Sequence, residues 1–241
     1  QIFGVLFGVV IVTGGLLSMR CPPGFAPEGW TPPAGRAATG TERNWRAMLA
    51  SSEFPPMILL LMCGAIAAMM VIAHVFSIAR DQMAWSAVEA SAAVSVIALA
   101  NTFGRIFAGT LSDRLGRLPA LSLGLSLSLL GLAALALSGP ESRALFYVGL
   151  AAVGLSFGSF MGVFPGYTAE VFGSRNNSVN FGIMFAGFSV AGIAGPALMG
   201  TLRAAGLGYP VCYLAGGGLI SAAGFLCILR LYGLRRRLAL G

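Results

Sequence analysis

The chain has 241 residues, 57% of them hydrophobic and only 10% charged, with a mean hydropathy of +0.85; a soluble domain carries about 25% charged residues, so this chain belongs in lipid. All 15 basic residues are arginine and the net charge is +7, but the arginines stand singly at the ends of apolar blocks rather than in a stripe with interleaved aromatics, which argues against a nucleic-acid partner. The chain has one histidine, eight acids that fall mostly in loops, and four cysteines (Cys21, Cys63, Cys212 and Cys227) without CxxC spacing. It carries no HExxH, P-loop or nucleophile elbow, so no enzyme, no metal and no cofactor is expected.

The opening apolar run, Ile2 to Leu17, has no basic residue before it and Arg20 behind it. That is the reverse of a signal peptide, and the run reads as a transmembrane helix cut by a fragment boundary. A polar stretch rich in Pro, Gly and Thr follows from Arg20 to Glu53 and reads as a linker between two bundles. Within it Thr39 and Glu42 have capping-box spacing, and Trp45, Met48 and Leu49 then share one helical face, which suits a short helix lying on the membrane surface. Six apolar spans come next: Pro56 to Ala79, Trp85 to Leu111, Leu118 to Ser138, Ala144 to Pro165, Asn180 to Leu202, and Val211 to Leu231. Runs of about 20 residues cross a hydrocarbon core of about 30 Å, and uniform rather than alternating hydrophobicity selects helices over a barrel. The fold class is therefore an all-α membrane protein, a bundle of about seven transmembrane helices.

Basic residues are retained on the cytoplasmic side of a membrane. With Arg20 placed there, the span count puts eleven arginines inside (Arg20, Arg36, Arg43, Arg46, Arg114, Arg117, Arg175, Arg230, Arg235, Arg236 and Arg237), three outside (Arg80, Arg143 and Arg203), and Arg105 within a span. The C-terminus is then expected to be cytoplasmic.

The loop after the second full span reads Gly109-Thr-Leu-Ser-Asp-Arg-Leu-Gly-Arg117. Gly109 is expected to let two helices approach closely, Gly116 to permit a tight turn, and Asp113 to accept hydrogen bonds from an exposed helix N-terminus. The segment resembles the loop signature of the major facilitator superfamily in its second copy, between the eighth and ninth helices. Counting helices from it, the resemblance implies that residues 1–19 are the truncated last helix of an N-terminal bundle. Residues 20–53 are then the cytoplasmic inter-bundle loop, and 54–241 a C-terminal six-helix bundle with a cytoplasmic tail. The missing N-terminal helices of the same polypeptide become a partner.

Further pieces are similar, taken in order, to the oxalate/formate antiporter family of bacterial carboxylate carriers. They are Cys21-Pro-Pro-Gly-Phe-Ala-Pro-Glu-Gly-Trp30, Asn44-Trp-Arg-Ala-Met-Leu49 with Phe54, Asn101-x-x-Gly-Arg105, and Phe172-Gly173 followed by Asn180-Phe-Gly182. This resemblance implies a multi-pass secondary transporter of the bacterial inner membrane with a small carboxylate as cargo, working by alternating access. A major facilitator carrier of sugars, drugs or other metabolites, or a transporter-like receptor, is the competing expectation.

Arg105 supports an anionic cargo independently. It lies six residues before Leu111, about 9 Å at 1.5 Å per residue, and an arginine at such depth needs a cavity or a partner. Its guanidinium forks onto a carboxylate, and Asn101 shares its face one turn earlier. The alternative is that Arg105 snorkels to the surface or pairs with an acid on a neighbouring helix. Related monocarboxylate transporters place an acid at the position of Asn101, so the resemblance points here to anion exchange or facilitated uptake rather than proton coupling. Oxalate-carrying relatives place a second basic residue at the position aligned with Phe188. One cation in place of two suits a formate-, lactate- or pyruvate-like monocarboxylate, unless Phe188 merely packs.

Glu89 is read either as an outer-gate or proton-sensing group or as an acid favoured by its helix dipole, and His74 as interfacial. Gly154, Gly158, Gly162 and Gly166 form a groove for close helix packing or for cargo. Asp113, Arg114, Arg117 and Glu170, with Arg175 on the same membrane face, are expected to form a cytoplasmic charge cluster that latches the outward-open state of the carrier.

Overall fold

Backbone that has no water to bond must satisfy its N–H and C=O groups internally, and the apolar runs do so as helices. The computed structural model describes residues 2–17 and 42–240 and divides into two compact units, Gln1–Ala37 and Ala38–Gly241. In the first, α1 (Ile2–Leu17) is a 16-residue apolar helix. The second holds α2 (Trp45–Leu49), α3 (Phe54–Ile72), α4 (Val75–Asp81), α5 (Ala87–Leu115), α6 (Arg117–Leu137), α7 (Arg143–Phe172), α8 (Asn177–Ala204), α9 (Tyr209–Val211), a π-helical stretch Cys212–Gly218 and α10 (Leu219–Leu240). No strand occurs among the described residues, and six helices are long and apolar enough to cross a membrane. The all-α bundle is as expected.

The helix ends show which local signals act. Thr39 and the Cys21–Trp30 segment lie outside the described residues. The expected capping role of Glu42 is corrected: α2 starts on Asn44, whose side chain accepts from the Ala47 N–H at 2.9 Å, while the Glu42 carboxylate accepts from the Arg175 N–H at 3.0 Å. Met48 of α2 is fully buried, and Trp45 and Leu49 remain exposed. The expected single span Pro56 to Ala79 is two helices, α3 and α4. Its last turn tightens where the His74 N–H donates to Val71, and the Met70 carbonyl so released lies 3.2 Å from His74 Nδ1. A local side-chain bond of this kind competes with the helix ladder.

α5 opens on a capping box, with Ser86 and Glu89 bonding each other's backbone. It continues to Leu115, a turn beyond the expected end at Leu111. Gly116, at φ +94°, turns the chain straight into α6, as expected of a glycine in that region. Gly173 repeats the geometry at φ +94° after α7, which runs on through Pro165 as helix.

In the bundle α7 packs chiefly on α5 and α6, and α3 on α8 and α10. α7 and α3 are therefore the centre, with α5 and α8 at the flanks. Burial agrees: 56% of the α7 span is enclosed, against 28% for α5 and 22% for α8. The glycine groove on α7 accepts the backbone of α5, the packing alternative of the two. A Cβ on Gly154 would stand 2.7 Å from the Ile97 carbonyl oxygen, one on Gly158 would meet the Asn101 carbonyl oxygen and the Arg105 nitrogen, and one on Gly162 the Arg105 carbonyl oxygen. At the far end Gln82 ties α4 to its neighbours. Its amide donates to the Leu135 and Ser138 carbonyls at 2.8 and 2.9 Å and accepts from the Tyr213 hydroxyl at 2.8 Å.

Candidate functional site

Arg105 and Asn101 take their positions from the α5–α7 groove, because the glycines of α7 grip the backbone of these two residues. Gly104 rests instead on Leu155. On α7 Leu155 and Met161 lie on opposite sides of Gly158, about 60° each way at 100° per residue. The side of α5 carrying Arg105 is thus turned toward Met161. α6 packs on the reverse of α7, where Gly149 meets Leu135 and Phe160 meets Gly124. Between the contacts α7 makes with α5 and with α8, away from α6, Met161 and Pro165 are half-buried.

The third wall comes from α8. Gly187 and Gly195 turn toward α3, meeting Ile58 and the Ile66 carbonyl, while Phe188 packs on Phe157 of α7 with ring centroids 5.9 Å apart. Phe185 stacks on Phe188 at 4.7 Å and meets Phe181 at 5.5 Å. Phe188 and the backbone of Arg105 thus rest on consecutive residues of α7, Phe157 and Gly158, at one depth.

The Arg105 side chain is exposed in this unit, and its Nε donates to Asn101 Oδ1 at 3.4 Å. It pairs with no acid among the described residues. It lies ten residues before the end of α5, about 15 Å along the axis.

A second group of charges gathers where α5, α7 and α10 end. Arg117 pairs with Asp113 at 3.0 Å and with Glu170 at 3.4 Å, donates to the Ser112 hydroxyl, and lies across Gly166. Glu170 in turn holds Arg235 at 3.0 Å, and that guanidinium sits over the Tyr167 ring at 5.3 Å. Of the expected members, Asp113, Arg117 and Glu170 come together, whereas Arg114 is exposed and makes no ion pair among the described residues. Arg175 contributes its backbone N–H to Glu42, not its charge to the cluster. One expectation about the loop is corrected. Among the described residues no atom lies within 4 Å of a Cβ built on Gly109, and the close approach of α5 to α7 is made at Gly104 instead. α6 starts from Gly116, which has no side chain to cap it.

Next to this cluster the end of the linker is bolted onto the α7–α8 turn. The Arg43 N–H donates to the Phe172 carbonyl at 2.9 Å, and the Arg43 carbonyl accepts from the Asn180 amide at 3.0 Å and the Asn176 amide at 3.3 Å. The Arg43 guanidinium pairs with Glu53 at 3.1 Å. The sequence pieces around Arg43, Phe172-Gly173 and Asn180 are thus one three-way junction. Glu89 serves its helix end and pairs with Arg143 at 2.7 Å. The sequence reading missed Arg235, Ser112, Met161 and the partners of Phe188. A visible signal existed for the last, since Phe181, Phe185 and Phe188 recur at helical spacing.

Six helices long and apolar enough to cross a membrane, with a glycine-threaded α5–α7 pair, define a polytopic helical membrane protein. The chain matches the Major Facilitator Superfamily over residues 1–196 and, in a second overlapping match, over 58–239, and it belongs to that family. It is also similar to an uncharacterized MFS-type transporter of Escherichia coli (strain K12), YhjX, at 39% identity over 106 residues, 44% of this chain. The matched stretch spans 26% of that relative's length.

Proposed function

We propose that the chain is part of a secondary transporter of small organic anions, with Arg105 as the residue that receives the cargo's carboxylate. The observation that carries this reading is an arginine at membrane depth with no acid beside it among the described residues, exposed on the flank of α5 that faces the Met161 sector. A charge so placed is costly unless an anion or water neutralises it. Asn101 holds Nε at 3.4 Å, which leaves the terminal nitrogens for two parallel bonds to a carboxylate. Loading then cancels the charge and favours the switch of an alternating-access carrier, whose bundles rock about a site near the midplane. The arginine-rich face is the cytoplasmic one in this reading, the host membrane is the bacterial inner membrane, and the oxalate/formate antiporter resemblance supports the carboxylate cargo.

The test is competition by a panel of small carboxylates against uptake by the complete polypeptide in proteoliposomes, with and without Arg105→Ala. Carboxylates are expected to compete, and the substitution to lower uptake at least a hundredfold, the scale of one lost bidentate charge pair at about 3 kcal/mol. Competition by neutral sugars or cationic compounds but not carboxylates sinks the reading, as does normal carboxylate uptake by the variant.

A further inference from the structure

We infer that the cargo is a monocarboxylate with an apolar, ring-sized body, held by its carboxylate at Arg105 and by its body against the rings of Phe185 and Phe188. The inference rests on the anion reading of Arg105 and says what lies at the other end of the cargo.

A one-carbon or two-carbon anion needs only charge and hydrogen-bond donors around it. The α8 wall offers no charge beside the rings, and one hydroxyl, that of Ser189, exposed one turn beyond Phe185. Phe185 and Phe188 are stacked at 4.7 Å with their planes 29° apart, and both are half-buried, leaving part of each ring uncovered. Phe157 backs Phe188 and is 3% exposed, so the stack cannot retreat into the bundle. The α7 part of the sector is half-buried Met161 and Pro165, and Met161 is a flexible apolar side chain that adapts to an irregular body. One turn beyond Phe188 on the same side of α8, no atom of the described residues lies within 4 Å of a Cβ built on Gly192, so none of them closes the wall above the rings.

Depth is set by consecutive residues of α7, since Phe157 carries Phe188 and Gly158 carries the backbone of Arg105. Helices that touch lie about 8–10 Å apart, so α5 and α8 flank the Met161 sector of α7 at one depth, with Arg105 on one side and the Phe185–Phe188 stack on the other. Aromatic rings gain from offset or tilted contact beyond the area they bury, and a dianion or formate has no body to use that surface. Desolvating a second carboxylate against three phenylalanines would count against it.

The probes are labelled benzoate, formate and oxalate, taken up by the complete polypeptide in proteoliposomes. Benzoate is expected to exceed formate and oxalate at least tenfold in uptake at equal concentration. Phe188→Ala should lower the benzoate-to-formate ratio about tenfold, the scale of one buried aromatic contact, and Phe188→Tyr should restore it, which separates a contact role from a folding defect. Arg105→Ala should abolish uptake of all three. If formate and oxalate match benzoate and the ratio is the same with Phe188→Ala, the aromatic wall is overturned while the arginine site stands. If Arg105→Ala leaves all three unchanged, the underlying anion reading falls with it.

Discussion

Arg117 is held by three partners, and its geometry explains why. A planar guanidinium presents several donors in a fixed fork, and here they reach Ser112, Asp113 and Glu170 together while the face of the group rests on Gly166. The Arg117 side chain is 15% exposed, against 52% for Asp113 and 42% for Glu170, so the cation is sheltered and its acids are wet. Individually such pairs contribute little, and the network matters through the one residue common to all of it. If the cluster latches one state of the carrier, Arg117→Ala should shift the balance between states by about 1–2 kcal/mol, read as a five- to thirtyfold change in maleimide labelling of a cysteine at Met161. Asp113→Ala removes one partner of three and should shift it less. Equal labelling in all three proteins dissolves the latch.

At the scale of the element, the α5–α7 pair decides where Arg105 stands. The four-residue glycine spacing was legible because a stripe of absent side chains has few uses other than close packing. Which glycines of α5 take part was not: Gly104 and Gly109 look alike in sequence, and only the register of the two helices puts Leu155 against one and open space beside the other. The break at His74 was hidden for a similar reason, since the apolar run continues through it and a change from helix to tightened turn leaves hydropathy untouched. The linker junction was hidden by distance along the chain, with Glu42 meeting Arg175 and Arg43 meeting Asn180 across 133 and 137 positions. Gly158→Ala and Gly109→Ala therefore make an informative pair. The first drives a Cβ into the backbone of Asn101 and Arg105, which cannot swing aside as a side chain can, and should cost about 1–3 kcal/mol by overpacking. It should also weaken carboxylate uptake by displacing Arg105. The second meets nothing among the described residues and gains helix propensity of up to about 1 kcal/mol, so its thermal unfolding in detergent should be unchanged or higher. Equal melting of the two would mean that α5 and α7 are not threaded as described.

For the whole molecule, the six-helix count and the helical class were readable from span length alone, because lipid leaves the backbone so few alternatives. Orientation is a separate matter, resting on the arginines. Arg114, Arg117, Arg175 and Arg235 lie at the end of the bundle that also carries the linker junction, while Arg80, Arg143 and Arg203 lie at the other, where α4 ends, α7 begins and α8 ends. Basic residues close to span ends resist translocation, so the first end should face the cytoplasm. α7 runs from one face to the other, with exposed Glu141 just before it and exposed Ser174 just after. In a background with Cys21, Cys63, Cys212 and Cys227 replaced by serine, Glu141→Cys in intact cells should react with a membrane-impermeant maleimide. Ser174→Cys should react only in inverted vesicles. The opposite pattern would reverse the bundle and place the Arg117 cluster outside, and labelling of both positions from one side would remove α7 from the set of spanning helices.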